Sequence, residues 1–474
     1  MTRKKLAIIG NGMAAGRLLD ELLRRDALAR LDIAVFGEEP HGCYNRILLN
    51  RVLLGGLVDD ITLKTAGWYA ERGIHLHSGS AVARLSPAAR RLWTANGNEH
   101  YFDRAVFATG SVPRIPPVAG ARSPDGRFKK GVCAYRDAAD CHRIRSSIRK
   151  GCRAVVIGGG LLGLEAAKAL ADLGLQVTLL HLFVSLMNRQ VDQPGGIMLR
   201  RAVEELGITV HTSVNTQAIV GRERAEGVRL AGGKELPAEL VVFASGVRPR
   251  IDLAIDSDVP TNAGILVDDR LQTDLPGIFA VGECAEHDGR VYGTVQPVYE
   301  QCAVLADLLS EANPHARYRG SKVYTRLKVV GVEVASMGDV DPREGDDEVV
   351  QVIEQKRGVY RKLIIRDDRL AGAVLVGDTS AAAGLVQRYE RGDALPANRL
   401  DLLASPDRGT ESAGGIICQC HQVGGATLLD AVHDGCRTLQ DLAARTGAGT
   451  GCGSCRGQLA SLLLKGAKLP ASAT

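Results

Sequence analysis

Aromatic residues are scarce in this sequence: 2 Trp, 7 Phe and 10 Tyr make up 4% of 474 positions. It also lacks any apolar stretch near the ~18 residues that cross a bilayer, so no membrane span is expected. Neither sign of charge dominates. Lys and Arg number 59 against 54 Asp and Glu, and the net charge of +5 is too mild to point to nucleic acid. With 24% charged and 45% apolar residues, a disordered or collagen-like chain is excluded. The length suggests roughly three domains. A disulfide framework is missing too, since six of the 11 cysteines are scattered. The basic-then-apolar start has only Leu6 to Ile9 as its apolar part, short of the about 7–15 residues of a secretory signal. These absences place the expected compartment as the reducing cytoplasm, where clustered cysteines bind metal more often than they pair.

Glycine is in excess, with 55 residues, or about 12%, against an average near ~7%. The segment Leu6-Ala-Ile-Ile-Gly10-Asn-Gly12-Met-Ala-Ala15-Gly16 is an apolar strand entering G-x-G-x-x-A. A helix with spaced leucines follows over 14–25, then a second strand, Leu31 to Phe36, ending at Glu38 and Glu39. This is the βαβ dinucleotide fingerprint. Gly10 permits the tight turn, Gly12 lets the backbone approach a pyrophosphate, and Ala15 keeps helix and strand close. The helix N-terminus faces the phosphates, and Glu38 or Glu39 can accept from ribose hydroxyls.

The pattern recurs. Ala154-Val-Val-Ile-Gly158-Gly-Gly160-Leu-Leu-Gly163-Leu-Glu165 opens a second unit, with Gln176 to Leu180 as its second strand. An apolar strand ending Ala108-Thr109-Gly110 leads to Pro113-Arg114. A matching one ending Ala244-Ser245-Gly246 leads to Pro249-Arg250. One such turn is a weak signal, but two with the same downstream strands make coincidence untenable. The fold class expected is α/β, with two Rossmann-like units binding two dinucleotides.

On these residues the sequence resembles the pyridine-nucleotide-dependent flavoprotein oxidoreductases with two dinucleotide-binding domains. That family includes ferredoxin and rubredoxin reductases and the reductase parts of assimilatory nitrate and nitrite reductases. The resemblance implies FAD on the first unit, held by Gly10, Gly12, Ala15, Glu38, Glu39, Val82, Ala108, Thr109 and Gly110. It implies NAD(P)H on the second, held by Gly158, Gly160, Gly163, His181 and Gly246. The run Ile278-Phe-Ala-Val-Gly282-Glu283-Cys-Ala-Glu-His287 resembles the family motif that returns the chain to the FAD domain, with Glu283 where most members have Asp. The run from Glu38 to Arg51 resembles E-x-P-x-x-x-Y-x-R-x-x-L-S-K, which implies that Arg46 and Arg51 approach the flavin. The implied domains are 1–117 with 244–318 for FAD, 118–243 for NAD(P)H, and 319–395 as an interface domain.

A flavin takes hydride and releases electrons singly, so the protein needs orienting groups rather than a nucleophile. Glu165, placed in the first turn of the second dinucleotide helix, is by resemblance the catalytic orienter on the nicotinamide carboxamide. The plain alternative is an acid favoured by the helix dipole. His181 ends the second strand of that unit, where NADH enzymes usually have Glu or Asp. An imidazole there can bond a ribose hydroxyl or, protonated, meet a 2′-phosphate. No Arg lies between His181 and Asn188, which leans toward NADH. Cys43 has no neighbouring cysteine before Cys133, and reads as a packed small apolar residue. Disulfide-reductase and peroxidase chemistries fall in rank accordingly.

Residues 396–415 are rich in turn formers and read as a linker. Beyond it come Cys418-Gln-Cys420 and, 31 residues on, Cys452-Gly-Ser-Cys455. Helices are expected over 426–433 and 438–445, with Thr438 and Asp441 as a capping box, and from 454 to 465. Four thiolates suit a metal or a cluster. Zinc sites more often use C-x2-C on both sides. The C-x-C half and the helical insert resemble the bacterioferritin-associated ferredoxin type of [2Fe–2S] module, which implies Cys418, Cys420, Cys452 and Cys455 as ligands over 416–474. Cys436 reads as a packed or surface thiol.

The whole most resembles the electron-transfer part of assimilatory nitrate reductases and the N-terminal half of nitrite reductase large subunits. It implies electron flow from NAD(P)H through FAD and the cluster to a protein acceptor such as a nitrate reductase catalytic subunit. With no further cysteine cluster for a sirohaem, the sequence is not expected to reduce nitrite alone. A ferredoxin or rubredoxin reductase is the alternative of the same class, and a redox- or iron-sensing binding module that of another class.

Overall fold

A computed structural model of the chain describes residues 3–403, 416–418, 421, 423–451, 453 and 455–466. The fold divides into two compact units. The first comprises the described parts of Met1–Leu49, Gly56–Val112 and Val247–Ser321. Its centre is a five-stranded sheet in the order Ile278–Ala280, Arg104–Phe107, Lys4–Ile9, Leu31–Phe36, His75–His77. All its pairings are parallel. Strands buried on both faces read as continuous apolar runs, as Leu6 to Ile9 does. Helix Met13–Leu23 buries Ala15, Leu18, Leu19 and Leu22, the helical-period face visible in the sequence. An antiparallel three-stranded sheet begins at Val82–Ser86.

The second unit comprises the described parts of Asn50–Gly55, Pro113–Gly246 and Lys322–Thr474. Its parallel sheet runs Val132–Ala134, Leu240–Phe243, Arg153–Ile157, Gln176–Leu180, Thr209–His211. The glycine-turn strand is again flanked by its own second strand and by the strand leading to A-[TS]-G. Ligands in such sheets bind at the carboxyl ends of the strands, where strand order reverses. The same unit holds a five-stranded antiparallel sheet, in the order Tyr324–Val329, Val332–Gly338, Arg369–Val376, Val359–Arg366, Glu348–Glu354. Helix Ala382–Arg391 covers one face of it through Leu385 and Val386.

The cysteine module pairs Ile416–Cys418 with Val423–Gly424 and adds helices Gly425–His433, Leu439–Thr446 and Arg456–Gly466. Thr438 and Asp441 form the expected capping box: the Asp441 amide donates to Thr438 Oγ1 at 3.1 Å, and the Thr438 amide to Asp441 Oδ2 at 2.9 Å. No helix among the described residues is long and apolar enough to cross a membrane.

Two expectations need correction. Residues 396–403 are not a free linker: Leu403 is buried, Arg361 donates to its carbonyl, and Arg399 donates to the Leu395 carbonyl at 2.8 Å. The rest of that stretch, 404–415, lies outside the described residues. Glu165 is the fifth residue of helix Leu161–Asp172, so it stands in the second turn rather than the first.

Candidate functional site

The two glycine turns are built alike. Gly10 has φ +115°, and a Cβ there would lie 2.2 Å from the Ala108 carbonyl oxygen. Gly158 has φ +127°, and a Cβ there would likewise lie 2.2 Å from the Ala244 carbonyl oxygen. Left-handed backbone and contact with the neighbouring strand both demand glycine. Gly12 and Gly160 differ from them: a Cβ on either would meet nothing within 4 Å. Each cap residue thus faces open space at a helix N-terminus, as a cradle for a pyrophosphate requires. Gly163 has no room either, since a Cβ would lie 1.8 Å from the Gly158 carbonyl oxygen. Its counterpart Ala15 carries a Cβ and is fully buried.

At the end of the first unit's second strand the two acids separate. Glu39 is tied on both oxygens: Tyr44 OH donates to Oε2 at 2.7 Å and Arg46 pairs with Oε1. Glu38 pairs through Oε2 with Arg250, whose hydrogen bond holds the carboxyl below its usual pKa. Glu39 thus braces Arg46, while Arg250 holds Glu38. Arg250 was legible only as the last letter of the repeated x-x-P-R. Thr109 Oγ1 donates to the Arg250 carbonyl at 2.7 Å, and Ser111 Oγ donates to Glu283 Oε2 at 2.7 Å. Gly110 has φ +67° and an open Cβ direction, and the Gly282 amide donates to buried Gln301 Oε1 at 2.8 Å. Val82 starts its hairpin half-buried. Arg51 lies exposed on helix Leu49–Leu53, within the stretch that belongs to the second unit, and so is not grouped with Arg46.

Cys43 is fully buried, and a Cβ on Gly16 would lie 2.7 Å from its Sγ. The thiol donates to the Gly12 carbonyl at 3.3 Å, and burial pushes its pKa up to about 12. A thiol so held is a packing group beneath the turn, not a thiolate nucleophile.

In the second unit Glu165 is half-buried, and burial alone pushes its carboxyl up to about 7. It stands past the first turn of the helix, where the dipole's influence fades. Tyr135, which the sequence did not single out, is buried at the carboxyl end of strand Val132–Ala134 with no hydrogen-bond partner for its hydroxyl. Burial pushes its pKa up, and the Glu165 charge adds to this. Gly246 (φ +94°) has an open Cβ direction at the end of the neighbouring strand. His181 is not a surface residue: it is 7% exposed, and the Gly159 amide donates to its Nδ1 at 3.0 Å.

In the cysteine module Cys418 and Cys455 are both buried, and Cys455 immediately precedes helix Arg456–Gly466. A thiolate there is favoured by the helix N-terminus. Cys420 and Cys452 lie outside the described residues. Thr450 Oγ1 donates to the Gly447 carbonyl at 2.7 Å and lies 2.9 Å from His421 Nε2. A hydroxyl has one hydrogen, so His421 Nε2–H is the donor of the second bond. Cys436 is buried.

Comparisons agree with this architecture. Residues 4–304 match the family described as pyridine nucleotide-disulphide oxidoreductase. Residues 324–391 match the rubredoxin NAD+ reductase C-terminal domain, and 416–465 the BFD-like [2Fe-2S] binding domain. The chain is 40% identical to a Bacillus subtilis nitrite reductase [NAD(P)H] over 96% of its length and 57% of that protein's. It is 36% identical to an assimilatory nitrate reductase electron transfer subunit of the same organism, over 98% of this chain and 60% of that one. The chain thus spans under two thirds of the length of these relatives. A ferredoxin reductase from Rhodopseudomonas palustris superposes with a TM-score of 0.70 at 26% identity, covering 79% of this chain and 91% of that one. The chain belongs to the pyridine nucleotide-disulphide oxidoreductase family, as an FAD- and NAD(P)H-dependent oxidoreductase with a BFD-like [2Fe–2S] domain.

Proposed function

We propose that this chain is the electron-transfer component of a nitrate- or nitrite-assimilating reductase, working in the cytoplasm. The observation that carries the reading is the union, in one chain, of two open glycine cradles and a cysteine module. The groups these sites hold supply a hydride acceptor that releases electrons singly and a one-electron carrier to a protein acceptor. We assign 1–117 with 244–318 to FAD, 118–243 to NAD(P)H, 319–395 to an interface role and 416–474 to the cluster.

The residues divide the work. Gly12 and Gly160 leave room for the two pyrophosphates, while Gly10 and Gly158 fix the turns. Glu38 accepts from a ribose, with Arg250 holding it ionised. Ser111 orients Glu283 toward the ribityl region. Glu165, with Tyr135 beside it in charge if not in hydrogen bonding, orients the carboxamide. Cys418, Cys420, Cys452 and Cys455 hold the cluster. The acceptor that fits best is the catalytic subunit of a nitrate reductase, given the 36% identity to a nitrate reductase electron transfer subunit.

The test is rapid-mixing reduction of the purified holoprotein by a pyridine nucleotide, followed by addition of nitrate reductase catalytic subunit, ferredoxin or rubredoxin in turn. Reoxidation by the nitrate reductase subunit, with nitrite formed, supports the reading. Reoxidation by rubredoxin or ferredoxin alone moves the chain to the small-iron-protein reductases. Reduction too slow to turn over any acceptor would make it a sensor.

A further inference from the structure

We propose that the cysteine module docks its protein acceptor through one cavity, which takes a lysine or arginine side chain of that acceptor beside the Cys418 strand. The inference rests on the reading of the module as the electron exit.

The cavity measures about 410 Å³ and is lined from three elements of the module. Helix Gly425–His433 lends it Thr427, Asp430, Ala431 and Asp434, which fall at the i, i+3, i+4, i+7 spacing of one helical face. Arg445 and Thr446 line it from the end of helix Leu439–Thr446, and Val423 from the short strand Val423–Gly424. Val423 and Ala431 are 8% and 4% exposed and make an apolar floor. Thr427, Asp430 and Asp434 are exposed and make a polar rim.

The rim does not carry the charge of the module at large. Residues 416–474 hold five Lys and Arg against three Asp and no Glu. Asp441 is taken up by its capping box, accepting from the Arg437 and Thr438 amides, each at 2.9 Å. The other two carboxylates both line the cavity. Asp434 pairs with Arg445, and with both side chains about half exposed that pair is weak and opens readily. The Asp430 carboxylate has no hydrogen bond or ion pair among the described residues. Two carboxylates and one guanidinium leave the cavity one negative charge in surplus above its apolar floor. That chemistry receives a cation on an aliphatic stem: the stem covers Val423 and Ala431, and the head reaches Asp430. An acidic side chain would meet Asp430 with Arg445 already engaged.

The position suits an electron exit. Val423 is the direct partner of Cys418 across the module's two-stranded ladder, and such partners lie about 5 Å apart. Thr446 is followed by Gly447, where a Cβ would lie 3.2 Å from His421 Nδ1. The cavity thus backs onto both segments that lead into the cysteine pairs, and an acceptor anchored in it lies against them.

Steady-state turnover of the full-length holoprotein with NADH tests this. Nitrate reductase catalytic subunit is the varied acceptor, beside ferricyanide, which needs no docking. Asp430→Asn removes the charge and keeps the shape, and should raise KM for the subunit about tenfold with kcat held. Asp430→Glu should return KM most of the way. Thr427→Trp fills the cavity from an exposed helix position without changing charge, and should raise KM to a similar degree. Added salt should raise KM of the wild type more than that of Asp430→Asn. Flavin and iron content of the same samples show that the variants are folded and loaded. A wild-type KM in Asp430→Asn or in Thr427→Trp overturns the inference. So does a lower KM in Asp430→Asn, the mark of an acidic occupant on Arg445. No transfer from the wild type to the subunit, with ferricyanide still reduced, would instead overturn the choice of acceptor, and the inference with it.

Discussion

Lys362 Nζ lies 2.8 Å from Asp192 Oδ2, and the two side chains are only 4% and 3% exposed. The same oxygen accepts from Tyr360 OH at 2.5 Å, and Lys362 also donates to the Val340 carbonyl at 2.8 Å. Asp192 caps helix Gln193–Glu205 through the Gly195 amide at 3.3 Å. One carboxylate thus joins the start of a dinucleotide-domain helix to a strand of the antiparallel sheet. Removing one member of a buried pair leaves the other charge uncompensated, at about 3–5 kcal/mol. Asp192→Ala is therefore expected to lower the thermal midpoint sharply. The Asp192→Leu, Lys362→Met double variant should recover much of the loss. A calorimetric scan of the three proteins checks this, and a double variant worse than Asp192→Ala would contradict it.

Gly12→Val should leave the fold intact and empty the flavin site, because the side chain enters the open space where a Cβ meets no protein atom within 4 Å. Gly10→Ala should instead destabilise, since φ +115° and the Ala108 carbonyl at 2.2 Å both oppose a Cβ. The backbone strain alone is worth about 1–3 kcal/mol. The ratio of flavin absorbance to protein, with circular dichroism on the same samples, separates the two outcomes. Full flavin in Gly12→Val would remove the first turn from the FAD site.

Glu165 gives a pH dependence with a definite sign. Its folded pKa, about 7, is above the ordinary 4.5. The folded state therefore holds the proton more tightly. The stability this contributes is fully present below pH 4.5 and is lost as pH rises through about 7. Glu165→Gln should be flat over this window. Ionisation has the opposite effect on the substrate, because a carboxylate accepts from a carboxamide N–H. NADH KM is expected to fall as pH rises through about 7 in the wild type and to stay level in Glu165→Gln. Parallel pH series of thermal midpoint and KM test both halves.

Cys452→Ser should separate the chain's two electron steps. FAD content and ferricyanide reduction should be kept, because neither glycine turn involves the module. Reduction of the protein acceptor should collapse, because three thiolates and a hydroxyl hold a cluster poorly. Iron and sulfide analysis beside both assays reads the result. Undiminished acceptor reduction with the iron lost would take the electron exit away from the module.

The parts legible in the sequence were those written in local backbone rules. Strands Leu31–Phe36 and Gln176–Leu180 have the bounds that apolar runs and glycines predict, and the Thr438–Asp441 capping box was readable in four residues. The parts that were not legible depend on residues far apart in the chain. Glu38 and Glu39 look alike until Arg250, 212 positions away, takes the first and Arg46 the second. Lys362 and Asp192 are 170 positions apart, and neither stands out in its own segment. The depth of His181 depends on how residues 185–187 fold over Gly159, which no periodicity reports.

The two glycine turns also differ in a way that runs in one direction only. Gly163 touches the Gly158 carbonyl so closely that no methyl fits, whereas the equivalent site in the first unit already carries the methyl of Ala15. The final letter of the fingerprint therefore works as a label: transplanting the first turn's G-x-G-x-x-A into the second should fail, while the reciprocal graft should be tolerated.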